Sequence, residues 1–202
     1  MKYSLPFIVA VFVVGCGQHN GGSDRVALFS TKTEISDLPH WANVALAARC
    51  ANLLMPTLDR LWIDPPADGR QLVDDAINIA SKSARFSHAQ PDTQATADKI
   101  TTLIQDLNAN GVNAYSDGRV QDIINVVQLA AESALADDRE EAHAITEDCI
   151  DRAYWITREL EDDLLRSELE QAVDSMNQFC KNSYAQDYHC FSWQTDHWQV
   201  RK

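Results

Sequence analysis

Residues 138–160 read DREEAHAITEDCIDRAYWITREL, and their period decides the fold class. Ala142, Ile145, Cys149, Ala153, Ile156 and Leu160 recur at spacings of three and four, while six of the thirteen positions between them are charged. That spacing lines one face of an α-helix, whereas a half-buried strand would alternate every second residue. Asp138, with Glu141 three positions later, has the form of a capping box, so a helix is predicted to start there. After Gly118 the remaining 84 residues contain neither glycine nor proline. Long helices separated by polar breaks are expected. The apolar edge goes on through Leu165, Leu169, Ala172, Val173, Met176 and Phe179, either in the same helix or in another starting near 163–167.

Upstream of this stretch the same period recurs. Val120, Ile123, Ile124, Val127, Ala131 and Leu135 form a stripe that Ser116 or Asp117 can cap. A helix from about Asp92 to Asn108 buries Ala97, Ile100, Leu103, Ile104 and Leu107, and Gly111 is placed to follow its end. Another, over 68–86, aligns Leu72, Val73, Ala76, Ile77, Ala80 and Ala84. The first begins near Pro39, where a missing N–H costs nothing, and runs through Trp41, Val44, Ala45, Ala48, Ala51 and Leu54. Pro56 limits or kinks it, and Leu58, Leu61 and Trp62 continue the apolar edge to Pro65-Pro66. No alternating pattern of useful length interrupts 36–183, so this span is predicted to be an all-α bundle of five to six helices.

The N-terminal end has a different character. Lys2 is followed by an apolar run from Leu5 to Val14, and Val13-Val14-Gly15-Cys16 brings small or apolar residues up to a thiol. Ten apolar residues are too few to span a bilayer, which takes about 20 in a helix. The segment resembles the signal peptide and lipobox of bacterial lipoproteins, in which Cys16 would become the new N-terminus and carry a diacylglycerol thioether. Residues 1–15 are accordingly expected to be a signal peptide and 16–35 a lipidated N-terminus with a flexible tether, small and polar from Gly17 to Arg25. Val26–Phe29 is a candidate short extended piece. By the same resemblance, Gly17 in place of Asp implies an anchor in the outer membrane facing the periplasm, or in the cell membrane of a host with only one.

The formal charge is −13, and loss of Lys2 with the signal peptide takes it to −14. Such an acidic chain repels nucleic acid and anionic lipid headgroups and suits a basic protein partner, although excess acid also keeps a helical surface soluble. With Cys16 assigned to lipid, Cys50, Cys149, Cys180 and Cys190 remain, an even set for an oxidising space. Of three connectivities, Cys180–Cys190 with Cys50–Cys149 is the one expected. The longer loop, about 100 residues, would contribute about 4.7 kcal/mol in the chain-entropy picture, and the short one nearly 3 kcal/mol. No C-x-x-C spacing points to zinc.

The tail, 184–202, lacks a helical stripe but holds Tyr188, Phe191, Trp193 and Trp198 around Cys190. It is expected either to fold back as a lid or to present these aromatics to a partner. Glu140-x-x-His143 is half of a di-iron helix motif, yet no other histidine follows a glutamate by three, and Glu140 and Glu147 are ordinary helix-face neighbours of His143. His189 and His197, near Asp187 and Asp196, could bind stray zinc. There is no G-x-S-x-G turn, phosphate loop or H-E-x-x-H helix. No catalytic residue, cofactor or metal is assigned.

Residues 38–61, LPHWANVALAARCANLLMPTLDRL, resemble the opening of an uncharacterised all-helical bacterial family in which a Trp starts a small-residue helix ending at a Pro. The stretch from Asp122 to Ala153 is similar to it as well. That likeness covers about half the chain and transfers no catalytic residue. Three readings of function follow. The first is a membrane-anchored, non-enzymatic protein-binding module, such as an immunity protein against a basic secreted toxin or cell-wall hydrolase. The second is an accessory structural lipoprotein of an envelope or secretion complex, and the third a carboxylate-dependent hydrolase.

Overall fold

The computed structural model describes residues 38–109 and 118–185, and every element among them is a helix. In chain order these are α1 (His40–Leu53), α2 (Met55–Leu61), α3 (Gly69–Phe86), α4 (Thr93–Ala109), α5 (Gly118–Ser133), α6 (Arg139–Glu159) and α7 (Asp163–Ala185). α2 follows α1 after the single residue Leu54, with Pro56 in its first turn. The two form one interrupted helix, so the described residues make six helical rods. None of the described helices is long and apolar enough to cross a membrane.

α1 lies at the centre. It packs against α3, α5, α6 and α7, and of residues 42–51 only Arg49 is exposed. The expected one-sided stripe is therefore too narrow, because Asn43, Leu46 and Ala47 are buried as well. The reason lies in side-chain size: Ala42, Ala45, Ala47, Ala48 and Ala51 keep α1 slim on all sides, so four neighbours can approach it at once.

Cross-helix bonds give the directions. Thr146 on α6 donates its hydroxyl to the Asn43 carbonyl at 3.1 Å, and the Cys149 thiol reaches the Ala47 carbonyl at 3.7 Å. Residue numbers rise together on both helices, so α1 and α6 run parallel. His40 Nε2 meets the Ala136 carbonyl at 3.1 Å, which holds the start of α1 beside the α5–α6 turn. α7 folds back along α6, and its far end returns to α1, where Trp41 and Phe179 pack edge to face with centroids 6.3 Å apart. α3 and α4 form a second hairpin, pinned at its turn by Ser83, which accepts from the Gln90 backbone N–H. Gln128 on α5 donates to Thr101 on α4 at 3.2 Å.

The helix ends explain themselves locally. Asp138 caps α6 by accepting from the Glu141 N–H at 2.9 Å, and Glu141 in return accepts from the Asp137 N–H at 2.8 Å. α6 stops where Glu161 takes φ 52 and Asp162 N–H reaches back to the Thr157 carbonyl, so a second helix does begin at Asp163. This is a Schellman ending without its usual glycine, and α3 ends the same way at Ser87, φ 57. A side chain in the left-handed region is strained. Glu161→Gly is expected to raise stability by about 0.5–1 kcal/mol, read as a higher urea midpoint at unchanged slope.

No disulfide is formed among the described residues. The expected Cys50–Cys149 bond is absent, but its two members are neighbours. Both are fully buried, and the nearness of Cys50 together with burial pushes the Cys149 pKa well up.

Candidate binding face

A candidate surface lies where the start of α5 meets the end of α6. Gly118, Arg119, Gln121 and Asp122 of α5 and Glu159 of α6 line an open depression of about 600 Å³. α5 runs antiparallel to α6 through the turn at 134–138, so its first turn falls beside the last turns of α6. The lining is polar and holds two carboxylates. Partial burial raises the Asp122 pKa, and nearby Arg152 opposes that shift. The fold thus favours protonated Asp122 more than the unfolded chain does. Its contribution to stability is fully present below the unfolded pKa and is lost as pH rises through the folded one.

Arg152 is held on α6 by Asp148, one turn earlier, at 3.1 Å. Trp155 follows Arg152 by three and precedes Glu159 by four, so all three share the outward strip of α6. Trp155 is 49% exposed. Tryptophan brings more apolar surface than any other side chain, and with its amphipathic ring it is a residue type enriched at interface hot spots. Asp151 and Glu159 lie four positions to either side of it on the helix, and Arg152 and Arg158 three positions to either side. The arrangement can stack the indole on a cation or planar group and offer carboxylate acceptors to basic or amide donors.

The residues singled out from sequence fall elsewhere. Cys16, Cys190, Tyr188, Phe191, Trp193 and Trp198 lie outside the described residues, as do His19, His189, His197 and the piece 26–29. Cys50 and Cys149 meet in the core, and Cys180 is buried on α7. Glu140 is exposed at the start of α6. His143 is half-buried, and its Nδ1 has no hydrogen-bond partner. Among the described residues no three His, Cys, Asp or Glu side chains converge closely enough to hold a metal. Trp155 was within reach of the sequence: it sits one position off the Ala153–Ile156 stripe, so the helical period alone turns it outward.

Comparison with known protein families, with characterised proteins and with solved structures returns no match for this chain.

Proposed function

We propose that this chain is a lipid-anchored lipoprotein of the outer membrane, facing the periplasm, whose helical bundle is a non-enzymatic module for binding a basic protein. Its most concrete form is an immunity protein that neutralises a basic exported toxin or cell-wall hydrolase. Cys16 would carry the lipid and the polar stretch after it would hold the bundle off the membrane. In that oxidising space Cys180 would pair with Cys190, and Cys50 with Cys149.

The observation that supports binding most directly is the half-exposed Trp155, with the carboxylates of Asp151 and Glu159 one helical turn to either side. A net charge of −14 once Lys2 is removed would steer a cationic partner toward the surface, raising the association rate, and a desolvated tryptophan would then supply contact energy. Occlusion of the partner's active site would follow from bulk alone. The test is affinity isolation from intact cells after mild crosslinking. Recovery of one basic exported protein, with loss of protection from it when this chain is deleted, is the expected result. Recovery of no basic partner, with protection unchanged on deletion, would overturn the reading.

A further inference from the structure

The Cys50–Cys149 pair brings together two thiols that are 99 positions apart in the chain, and the seam that holds them runs along the central helix. The Ala47 carbonyl points along α1 toward its C-terminal end, so a Cys149 sulfur 3.7 Å from that oxygen stands at the level of Cys50. On the other side the same sulfur lies 3.8 Å from the Val126 carbonyl of α5. Thr146, one turn earlier on α6, fixes the register through its bond to Asn43. Both cysteines have no exposed surface. The Thr146–Asn43 bond and the packing of α1 on α6 hold the seam without an S–S bond.

We infer that Cys50 and Cys149 form a redox latch between α1 and α6: a dithiol in the newly folded chain and a disulfide after exchange with a disulfide-bearing oxidant. The supply of that oxidant rests on the export reading above. One cysteine, as thiolate, attacks the oxidant's disulfide, forming a mixed disulfide and releasing one thiol of the oxidant. The second cysteine thiolate then attacks the sulfur of the first, the new S–S bond forms, and the oxidant's other thiol leaves. Two protons and two electrons pass to the oxidant, which ends as two thiols.

Burial controls the rate at which the latch closes. A thiol that is fully buried and held protonated is a poor nucleophile, and no oxidant reaches it while α1 and α6 are packed. Closure therefore proceeds through transient parting of the seam, and the finished bond is shielded from reductants in the same way. Joining positions so far apart removes much of the freedom of the unfolded chain, so the closed form should outlast the open one on heating.

The test treats the reduced full chain with oxidised glutathione, with and without urea below the unfolding transition. Peptide mapping by mass spectrometry then identifies the bonded cysteines. The expected result is a Cys50–Cys149 peptide that forms slowly in buffer and faster as urea rises. The closed protein should melt roughly 10 °C or more above the open one. Alkylation of Cys149 in the native dithiol should be roughly a hundredfold slower than in the unfolded chain. In the Cys50→Ala chain glutathione should stop at a mixed disulfide on Cys149. Absence of the Cys50–Cys149 peptide in every condition, or a closed form that melts no higher than the open one, overturns the latch whatever the compartment. Closure in the tube combined with a dithiol in protein alkylated directly from cells overturns the export reading and leaves the latch standing.

Discussion

Ala47→Asp is expected to abolish the folded state at 25 °C. Ala47 has no exposed surface, sits midway along the central helix, and its carbonyl receives the Cys149 thiol. A carboxylate there has no cationic partner built to meet it, and stranding an unpaired charge in such a core costs several kcal/mol. Total stability of a domain this size is about 5–15 kcal/mol, so that cost is of the same order as the whole. Helix propensity cannot be the cause, because Ala to Asp in a helix costs less than about 1 kcal/mol. Arg49→Asp is the control, on the same helix but facing water, with an expected change of about 0.5–1 kcal/mol. Far-ultraviolet circular dichroism through a thermal ramp reads both. Two variants with equally cooperative melting would mean that α1 is not the enclosed centre of the bundle.

Trp155→Ala should leave the fold nearly intact and remove most of the binding. The side chain is already half in water, so its loss changes stability by well under the cost of a core truncation, about 1 kcal/mol or less. At an interface the same truncation behaves as a hot spot, about 2 kcal/mol or more, which is a loss of about 30-fold in Kd. Calorimetry with the partner recovered by crosslinking measures it. Raising salt should slow association of both the parent and the variant, because steering comes from the overall charge and not from the indole. An unchanged Kd would mean that the partner docks elsewhere on the chain.

The sequence carried the helical architecture well, because hydrophobic period and capping are local signals that bundle packing reinforces. The spans expected over 68–86 and from Asp92 to Asn108 match α3 and α4 within about one residue at each end, and the Asp138 cap is formed as read. The break at Glu161 stayed undecided because no glycine marks it: the chain adopts a left-handed turn with an ordinary side chain, which composition cannot reveal. α1 was read as one-sided because alanine fits a buried face and an exposed one equally well. Thr146, fully buried, and Ile145, only partly so, show the register of α6 turned slightly from its apolar stripe, since the threonine hydroxyl is satisfied by the Asn43 carbonyl. Cys50 with Cys149 is one of three pairings that the thiol count allows; the structure sets both in the core without a bond between them.

The candidate face escaped the sequence for another reason. Asp122 and Glu159 are 37 positions apart, and nothing local says that the start of α5 lies beside the end of α6. Only the antiparallel packing of those two helices brings the carboxylates to one depression.

Anchoring through Cys16 is the premise of the proposed function: it would place the acidic bundle among exported partners and in a space where its thiols could be oxidised. Intact-mass spectrometry of the protein extracted from the cell envelope tests it directly. The account predicts a chain that begins at Cys16 and carries a diacylglycerol thioether on that residue, recovered with the membrane fraction. A chain retaining Met1 and Lys2 without lipid, recovered with the soluble fraction, would contradict it.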